Sequence, residues 1–460
     1  MIARAQLQPL VQRWLPTQRW YAGKGRDGTV EVELLAEFAG TSPEVSIWVA
    51  HVAYADGGTE TYQVPLVLRE APVGHLEHVL LGTVDAGEGP QWVYDALHDK
   101  DVTQAWLDGI RGASSEGVLR FTRNADPADI PQNLPSLVLT GEQSNTSLMY
   151  GDVAILKVFR RLQPGVNPDI EIHAALGEHG APHIARLLGS VQAQLESGLY
   201  ALGMLQDYLT TATDGWELAK ISVRDLMAEA DLHADEAGGD FAGEAERLGA
   251  AVGQTHRDLA AAFGETEAAG DELAARIAGM HARLEHAVGV VPQLAPLADG
   301  LRATFDALSS IDGSLPLQRI HGDLHLGQAL RTVRRWVIID FEGEPMADLT
   351  ARRDADSPLR DVAGMLRSFE YAGHYRIIET GVDAQLSYRA DEWTKRNRGA
   401  FCDGYTAAAG YDPREQVELL HAFEADKAVY EAVYEARNRP EWLPIPLASL
   451  ARLAGERTSS

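Results

Sequence analysis

The chain has 460 residues, 45% of them hydrophobic and 23% charged, which is typical of a soluble globular protein with two or three domains. Asp and Glu number 67 against 40 Lys and Arg, and a net charge of −27 argues against a nucleic-acid partner, which needs basic patches. The single cysteine, Cys402, excludes an intramolecular disulfide and favours a cytoplasmic protein. Because no apolar run approaches 18 residues and no signal peptide is evident, we predict no membrane partner.

Residues 1–100 are predicted to form a separate subdomain. A helix carries Leu7, Leu10, Val11 and Trp14 at helical spacing. Three segments of β-type composition follow it, TVEVELLAEF, VSIWVAHVAYA and TETYQVPLVLRE. The glycine-containing segment GKG between the helix and the strands lacks the spacing of a P-loop, so we interpret it as a turn.

Residues 101–208 are predicted to be rich in strands. Two strands, Ser147–Tyr150 and Val153–Phe159, flank a Gly-Asp turn, and Lys157 lies in the second of them. This lysine either protects a sheet edge from aggregation or reaches a phosphate group. The preceding loop, GEQSNTS, offers hydroxyl, amide and backbone N–H groups that can bind anionic oxygens.

A helix is predicted to begin at Pro168, with Asn167 as its cap. Glu171 lies in the first turn of this helix, where it either pairs with Lys157 or complements the helix dipole. Two further strands, ARLLGSVQA and GLYALGMLQDYL, lead to Gln206, Asp207 and Tyr208. We predict that this last segment connects two lobes.

Residues 209–460 are predicted to be mainly helical, with one interruption of different character. RIHGDLHLGQ gives a polar loop, and a strand over Trp336–Ile339 then ends at Asp340. Of the two carboxylates, Asp323 and Asp340, one can accept a proton from an attacking hydroxyl while the other, with Gln328, holds Mg²⁺. Phosphoryl transfer from ATP requires this division of roles.

Two other interpretations of the loop are open. His321 and His325 form an H-x-x-x-H pair, but the general-base Glu and a third ligand of a zinc site are not evident. In so acidic a chain, the acids are also compatible with a solvated surface loop.

The ordered set HGDLHLGQ, IDFEGEP, ILKVFRR, NPDIEIH, GEQSNTS and QRWYAGKGR resembles the maltokinases, among the kinase-like sugar and aminoglycoside phosphotransferases. The resemblance runs nearly end to end. It implies an α+β, bilobal fold like that of eukaryotic protein kinases and aminoglycoside phosphotransferases. It also implies three parts of the chain: an N-terminal cap subdomain (1–100), a strand-rich nucleotide-binding lobe (101–208) and a mostly helical C-terminal lobe (209–460).

The resemblance also implies the roles of individual residues. Asp323 is the catalytic base, Gln328 and Asp340 bind Mg²⁺, and Glu342 contributes to the metal or substrate site. Lys157 holds the ATP phosphates and Glu171 orients it. The remaining nucleotide contacts are assigned to the phosphate loop and the lobe connection, namely Gln143, Ser144, Asn145, Thr146, Ser147, Gln206, Asp207 and Tyr208. Asp361 and Arg367 are predicted to support the catalytic loop.

The acceptor site is predicted on a late helix. Lys427, Tyr430, Glu431 and Tyr434 follow at i, i+3, i+4 and i+7, so they share one helix face. Carboxylates, an ammonium group and tyrosine rings suit a sugar, although an amphipathic surface helix has the same pattern. His321, Arg437 and Trp442 are further substrate candidates.

The resemblance implies ATP-dependent phosphorylation of maltose at its anomeric hydroxyl, which feeds glycogen-like α-glucan synthesis from trehalose. A related kinase for glucosamine, another sugar or an aminoglycoside is the alternative, and an inactive kinase-like scaffold is a third reading. Without an evident coiled coil, we expect a monomer.

Overall fold

The structure, a computed structural model, describes residues 2–38, 41–85, 89–139, 144–228, 233–236, 239–311, 314–344, 347–381 and 384–455. The chain divides into two compact units. The first comprises residues 1–177 and 185–210, and the second comprises residues 178–184 and 211–460. The predicted boundary between a cap and a nucleotide-binding lobe at residue 100 stays a prediction.

The first unit begins with a helix and a five-stranded antiparallel sheet of order β1-β2-β3-β5-β4. Their bounds are α1 Arg4–Trp14, β1 Gly28–Glu37, β2 Val45–Tyr54, β3 Thr59–Arg69, β4 Leu80–Asp85 and β5 Pro90–Asp95. The helix buries Leu7, Leu10, Val11 and Trp14 in a core shared with β1 to β5, so the predicted helix and first three strands are confirmed. β4 and β5 were not predicted, because they are short and Gly82 interrupts the alternation.

A seven-stranded sheet of order β6-β7-β11-β12-β10-β9-β8 completes the first unit. The elements are α2 Gln104–Gly112, β6 Ser115–Glu116, β7 Leu119–Arg123, β8 Ser136–Val138, β9 Thr146–Tyr150, β10 Ala154–Val158, α3 Pro168–Glu178, β11 Leu187–Leu195 and β12 Gly198–Asp207. The predicted hairpin of β9 and β10 is confirmed, with Gly151 at φ +54° in its turn. Asn167 caps α3, since its side chain accepts from Ile170 N at 3.1 Å.

Arg160 joins the two sheets of the first unit. Its side chain is fully buried, and Nη2 lies 2.5 Å from Asp95 Oδ2. Nε donates to Thr146 Oγ1 at 2.8 Å, and the guanidinium lies 4.7 Å from the ring centroid of Trp20. The buried charge therefore depends on one carboxylate for its neutralisation.

The second unit is mainly helical. Its helices are α4 Gly215–Ala228, α5 Ala242–Phe263, α6 Asp271–Val290, α7 Ala298–Asp306, α8 Pro358–Thr380, α9 Ala384–Ala409, α10 Val417–Asn438 and α11 Pro444–Gly455. Two small antiparallel sheets accompany them, one of β13 Thr213–Asp214, β16 Ala329–Arg331 and β17 Trp336–Ile338, the other of β14 Glu265–Ala268 and β15 Leu315–Gln318. Within the described ranges, no helix combines the length and apolarity that a membrane span needs.

Helices α5 and α9 approach each other through glycine. A Cβ atom on Gly249 would lie 2.0 Å from Phe401 O, and one on Gly404 would lie 1.8 Å from Glu246 O. No side chain fits at either position, because these distances are far below van der Waals contact. The two helices therefore pack backbone against backbone in the core of the second unit.

Replacing Asp95 by Ala leaves the Arg160 guanidinium buried without its counter-charge. We expect the free energy of unfolding to fall by about 3–5 kcal/mol, measured by urea unfolding followed by circular dichroism. The matched control is Asp101→Ala, which removes a carboxylate that is 71% exposed and pairs with Arg69. That change should cost less than about 1 kcal/mol, and equal losses for the two variants would contradict the role of Arg160.

Candidate active site

A buried ion pair in the first unit holds the strand lysine. Lys157 lies in β10, opposite Ser147 of β9 and Met204 of β12. Its Nζ is 3.2 Å from Asp169 Oδ2, and the Lys157 side chain is 13% exposed while that of Asp169 is 1% exposed. His173 Nδ1 lies 3.0 Å from the other carboxylate oxygen of Asp169.

The sequence analysis chose Glu171 as the residue that orients the lysine, and that choice stays a prediction; the structure adds Asp169 as an acid that pairs with Lys157. Residues two apart in a helix do not share a face, and the structure buries Asp169 beside Lys157 while Glu171 is partly exposed. Burial alone raises the pKa of Asp169, but Lys157 and His173 outweigh burial and hold the pKa well below its ordinary value. Asp169 is therefore a carboxylate beside an ammonium group.

The predicted phosphate loop is described from Ser144 onward, and Gln143 lies outside the described residues. Thr146 and Ser147 are buried, and the Thr146 hydroxyl accepts a hydrogen bond from Arg160. Ser144 is exposed and Asn145 is partly exposed. The side chain of Thr146 therefore supports the base of the loop through Arg160, and the prediction that the loop covers the ATP phosphates stays a prediction.

At the end of β12, several polar groups of the predicted adenine segment already have partners. Asp207 N donates to Arg186 O at 3.0 Å, and Tyr208 N donates to Val153 O at 2.9 Å. The Asp207 carboxylate accepts two hydrogen bonds from Arg186, each of 3.1 Å. By contrast, the side-chain amide nitrogen of Gln206 is buried without a partner among the described residues, as expected for a group that awaits a ligand.

His321, in the second unit, is a structural residue, which corrects its prediction as a substrate contact. It is buried, its Nε2 lies 2.9 Å from the carbonyl oxygen of Ile339, and Asp323 N donates to its Nδ1 at 3.3 Å. Both ring nitrogens are thus used within the protein. The imidazole ties the loop that carries Asp323 to the segment that precedes Asp340.

Asp361 of α8 holds the same loop. Its carboxylate accepts from the backbone N–H of His321 at 2.7 Å and of Gly322 at 2.9 Å, and lies 3.1 Å from His256 Nε2. Burial raises the pKa of Asp361, but His256 and His321 outweigh burial, and the net pKa is lowered. The predicted supporting role of Asp361 is confirmed by these contacts. Arg367 differs, since its Nη2 lies 2.7 Å from Glu431 Oε2 rather than at the loop.

Asp323 and Lys427 form an ion pair across the site. Lys427 Nζ donates to Asp323 Oδ1 at 2.9 Å. Burial raises the pKa of Asp323, but Lys427 and the neighbouring His325 outweigh burial, so the carboxyl pKa lies below its ordinary value. Asp323 is therefore ionised at neutral pH, and its charge is offset by the Lys427 ammonium.

Gln328 and Asp340 are brought together, as the sequence analysis predicted. Gln328 Nε2 donates to Asp340 Oδ2 at 3.0 Å, which leaves the amide oxygen of Gln328 as a possible ligand atom. Asp340 has a φ of +66°, a left-handed conformation that is strained for most side chains. Carboxylate oxygens of Asp340 and Glu342 lie within 4.8 Å of each other. This oxygen-only donor set fits Mg²⁺, a hard cation.

The cavity beside Asp323 has a volume of about 650 Å³, within the range of about 300–1,000 Å³ that is usual for small-ligand pockets. One wall is the α10 face that carries Lys427, Tyr430, Glu431 and Tyr434, so the structure places all four predicted residues together. The other side chains in its lining come from β13, α4, the loop of Asp323, α8, α10 and the segment between α10 and α11: Asp214, Trp216, His325, Ser368, Tyr371, Glu435, Arg439 and Trp442.

Two predicted substrate residues lie outside this pocket. Arg437 is exposed and lies 3.4 Å from His286 Nε2. Glu342 does not line the pocket either, and its carboxylate lies beside Asp340. The assignments of both residues to the acceptor stay predictions that this pocket does not support.

Sequence reasoning missed part of the pocket wall. Trp216, Tyr371, Glu435 and Arg439 were not predicted, and Trp442 was only a secondary candidate. Glu435 was available from the helical spacing, since it follows Glu431 by four residues. The aromatic residues Trp216 of α4 and Tyr371 of α8 carry no local signal, because each lies far from α10 in the sequence.

Comparisons with known proteins agree with this arrangement. Residues 14–99 match the maltokinase N-terminal cap domain. A glucosamine kinase of Streptacidiphilus jiangxiensis is 30% identical over 328 residues, covering 69% of this chain and 73% of that protein. A glucosamine kinase of Mycolicibacterium smegmatis is 29% identical over 350 residues, which cover 70% of this chain and 80% of that protein.

A solved structure of a glucosamine kinase in complex with glucosamine, ADP and inorganic phosphate has a TM-score of 0.69 at 23% identity. It covers 98% of this chain and 100% of that chain. A crystal form of a glucosamine kinase gives a TM-score of 0.70 at 24% identity. The match covers 97% of this chain and 99% of that chain. At these identities the similarity shows the fold, and the predicted kinase-like fold is confirmed.

The strand-rich and helical units, with a cap at the amino-terminal end, define a kinase-like phosphotransferase. More narrowly, the chain belongs to the same kinase family as the glucosamine kinase of Streptacidiphilus jiangxiensis.

Replacing Asp361 by Asn turns an amide group toward a backbone N–H and leaves a buried donor unsatisfied. We expect the free energy of unfolding at neutral pH to fall by about 1–3 kcal/mol. Because the folded pKa of Asp361 is lowered, the stabilisation by its carboxylate is complete above about pH 5 and is lost as the pH falls through the folded pKa. Urea unfolding across this pH range measures the difference.

The control for this prediction is Asp299→Asn, at a side chain that is 98% exposed. It should change neither the stability at neutral pH nor its pH dependence. A difference between wild type and Asp361→Asn that stayed constant from neutral to acid pH would contradict the assigned ionisation of Asp361.

Proposed function

We propose that this protein is an ATP-dependent kinase that phosphorylates maltose at its anomeric hydroxyl and releases maltose 1-phosphate and ADP. Its product would enter α-glucan synthesis of the glycogen type from trehalose-derived maltose, in the cytoplasm. The match of residues 14–99 to the maltokinase cap supports this choice. ADP in a solved relative supports the use of ATP.

The observation that carries the proposal is the Asp323–Lys427 pair in the acceptor pocket. An ionised carboxylate can align an attacking hydroxyl and accept its proton. The adjacent ammonium group of Lys427, 2.9 Å away on a side chain that is 27% exposed, can donate to a neutral sugar hydroxyl. An acceptor that carries its own ammonium group would meet a like charge in a pocket of low dielectric constant.

Two further acids of the wall are paired with arginines. Glu431 Oε2 accepts two hydrogen bonds from Arg367, at 2.9 and 2.7 Å. Glu435 pairs with Arg439 at 2.6 Å. Since these two carboxylates have cationic partners, neither offers a free counter-charge to an amino sugar, which supports a neutral acceptor. Asp214, a third acid of the lining, accepts a hydrogen bond from Glu217 N at 2.8 Å.

In the proposed reaction, the roles of the other residues follow from their contacts. Lys157, oriented by Asp169, binds the ATP phosphates, and Gln206 with its neighbours contacts the adenine. Gln328 and Asp340 hold Mg²⁺, with Glu342 beside them, and the metal supplies positive charge that stabilises the transferred phosphoryl group. Asp323 orients the hydroxyl and takes its proton, so catalysis depends mainly on positioning and electrostatics.

Glucosamine is the second candidate acceptor. The observation that favours it is the name of the two curated relatives, both glucosamine kinases, at 30% and 29% identity. The positive charge of Lys427 argues against glucosamine as the acceptor, because the amino group of glucosamine is also positively charged. The same repulsion argues more strongly against an aminoglycoside, which carries several positive charges.

A coupled assay of ADP release with maltose, glucose, glucosamine and kanamycin separates these possibilities. We expect the highest kcat/KM with maltose, and a ³¹P spectrum typical of an anomeric phosphate.

Asp323→Ala should lower kcat by about 10²–10⁴-fold while ATP still binds, because it removes the base alone. The exposed control Asp299→Ala should retain activity. A preference for glucosamine would overturn the maltose assignment, and an active Asp323→Ala variant would overturn the base.

Lys427→Met tests the charge argument directly. Removing the ammonium group should raise the ratio of kcat/KM for glucosamine to that for maltose at least tenfold, a change of about 1.4 kcal/mol. The acid limb of the pH profile for maltose should also move to higher pH, because Asp323 loses the cation that lowers its pKa. Lys395→Met, at an exposed lysine of α9, is the control. An unchanged ratio would refute the proposed selection by charge.

A further inference from the structure

The pocket continues past the Asp323–Lys427 pair to an aromatic end. Tyr371 and Trp442 are stacked, with ring centroids 6.1 Å apart and an interplanar angle of 16°. Trp216 lies 6.5 Å from Trp442, and Tyr434 completes this part of the wall. Trp216 and Trp442 are only half-buried, and Tyr434 is 44% exposed, so aromatic surface faces the cavity.

Polar groups border these rings. The Arg439 guanidinium lies 4.9 Å from the ring centroid of Trp442 and 5.5 Å from that of Tyr434. Glu435 fixes it through an ion pair of 2.6 Å. The buried hydroxyl of Tyr371, in the same wall, lies close to the Glu435 carboxylate, so polar atoms border the stacked rings.

We propose that this aromatic end is a binding subsite for the second, non-reacting hexose ring of a disaccharide acceptor. We define the outer subsite as Trp216, Tyr371, Tyr434, Arg439 and Trp442. The inference rests on the proposed sugar-kinase function and adds what selects a disaccharide over a monosaccharide. Apolar faces of a pyranose ring pack on aromatic rings, while its hydroxyl groups bind the charged and polar groups at their edge.

The dimensions of the pocket agree with two rings. From Lys427 to Glu435, α10 contributes lining residues over eight positions, a rise of about 12 Å. That length exceeds one pyranose ring. A monosaccharide held at Asp323 and Lys427 would leave the outer subsite without a ligand, so its aromatic surface would contribute no binding energy.

Two substitutions test the outer subsite. Trp442→Ala removes the ring that contacts both Trp216 and Tyr371, and Trp216→Leu is a second variant at another position, each checked for folding by circular dichroism. Binding of maltose and of glucose is measured by isothermal titration calorimetry in the presence of a non-hydrolysable ATP analogue and Mg²⁺. The exposed aromatic control is Tyr388→Ala, at a residue that is 63% exposed and outside the pocket.

We expect the wild-type protein to bind maltose at least tenfold more tightly than glucose. Each variant should weaken maltose binding about tenfold or more and leave glucose binding within a factor of two, while Tyr388→Ala changes neither. Equal losses for both sugars, or wild-type affinities that do not differ, would overturn the outer subsite. Failure of the proposed function is separate, because it would appear as absence of maltose turnover in the wild-type assay.

Discussion

One buried carboxylate, Asp361, determines the geometry of the acceptor side of the site. It accepts hydrogen bonds from two consecutive backbone N–H groups of the loop that presents Asp323. His321 fixes the same loop to the carbonyl of Ile339, next to Asp340. The position of Asp323, the proposed base, relative to the residues proposed to hold the metal is thus set by hydrogen bonds within the second unit, before any ligand binds.

Much of the fold and the chemistry could be predicted from local sequence. The hairpin that carries Lys157 and the loop of Asp323 have short-range turn, capping and spacing signals. The proximity of Asp340 and Gln328 could also be predicted, because the short strands β16 and β17 bring them together. The four residues of α10 were found for a similar reason, since helical periodicity alone puts Lys427 and Tyr434 on one face.

What could not be predicted depends on packing between distant segments. The burial of Asp169 beside Lys157 is decided by how α3 packs on the sheet, with Ile170 in contact with the core around Met204. His321 looked like a ligand, and only the structure shows that both its nitrogens are used within the protein. The aromatic wall is built from α4, α8, α10 and the segment that follows α10, so no single window of sequence contains it.

The glycine contact between α5 and α9 has a consequence for the loop of Asp323. His256 on α5 lies 2.9 Å from the Tyr405 hydroxyl on α9 and 3.1 Å from Asp361, so the loop is attached to the most closely packed pair of helices described in this unit. The conformational entropy of ordering the loop is therefore spent once, when the chain folds. It need not be lost again in each turnover.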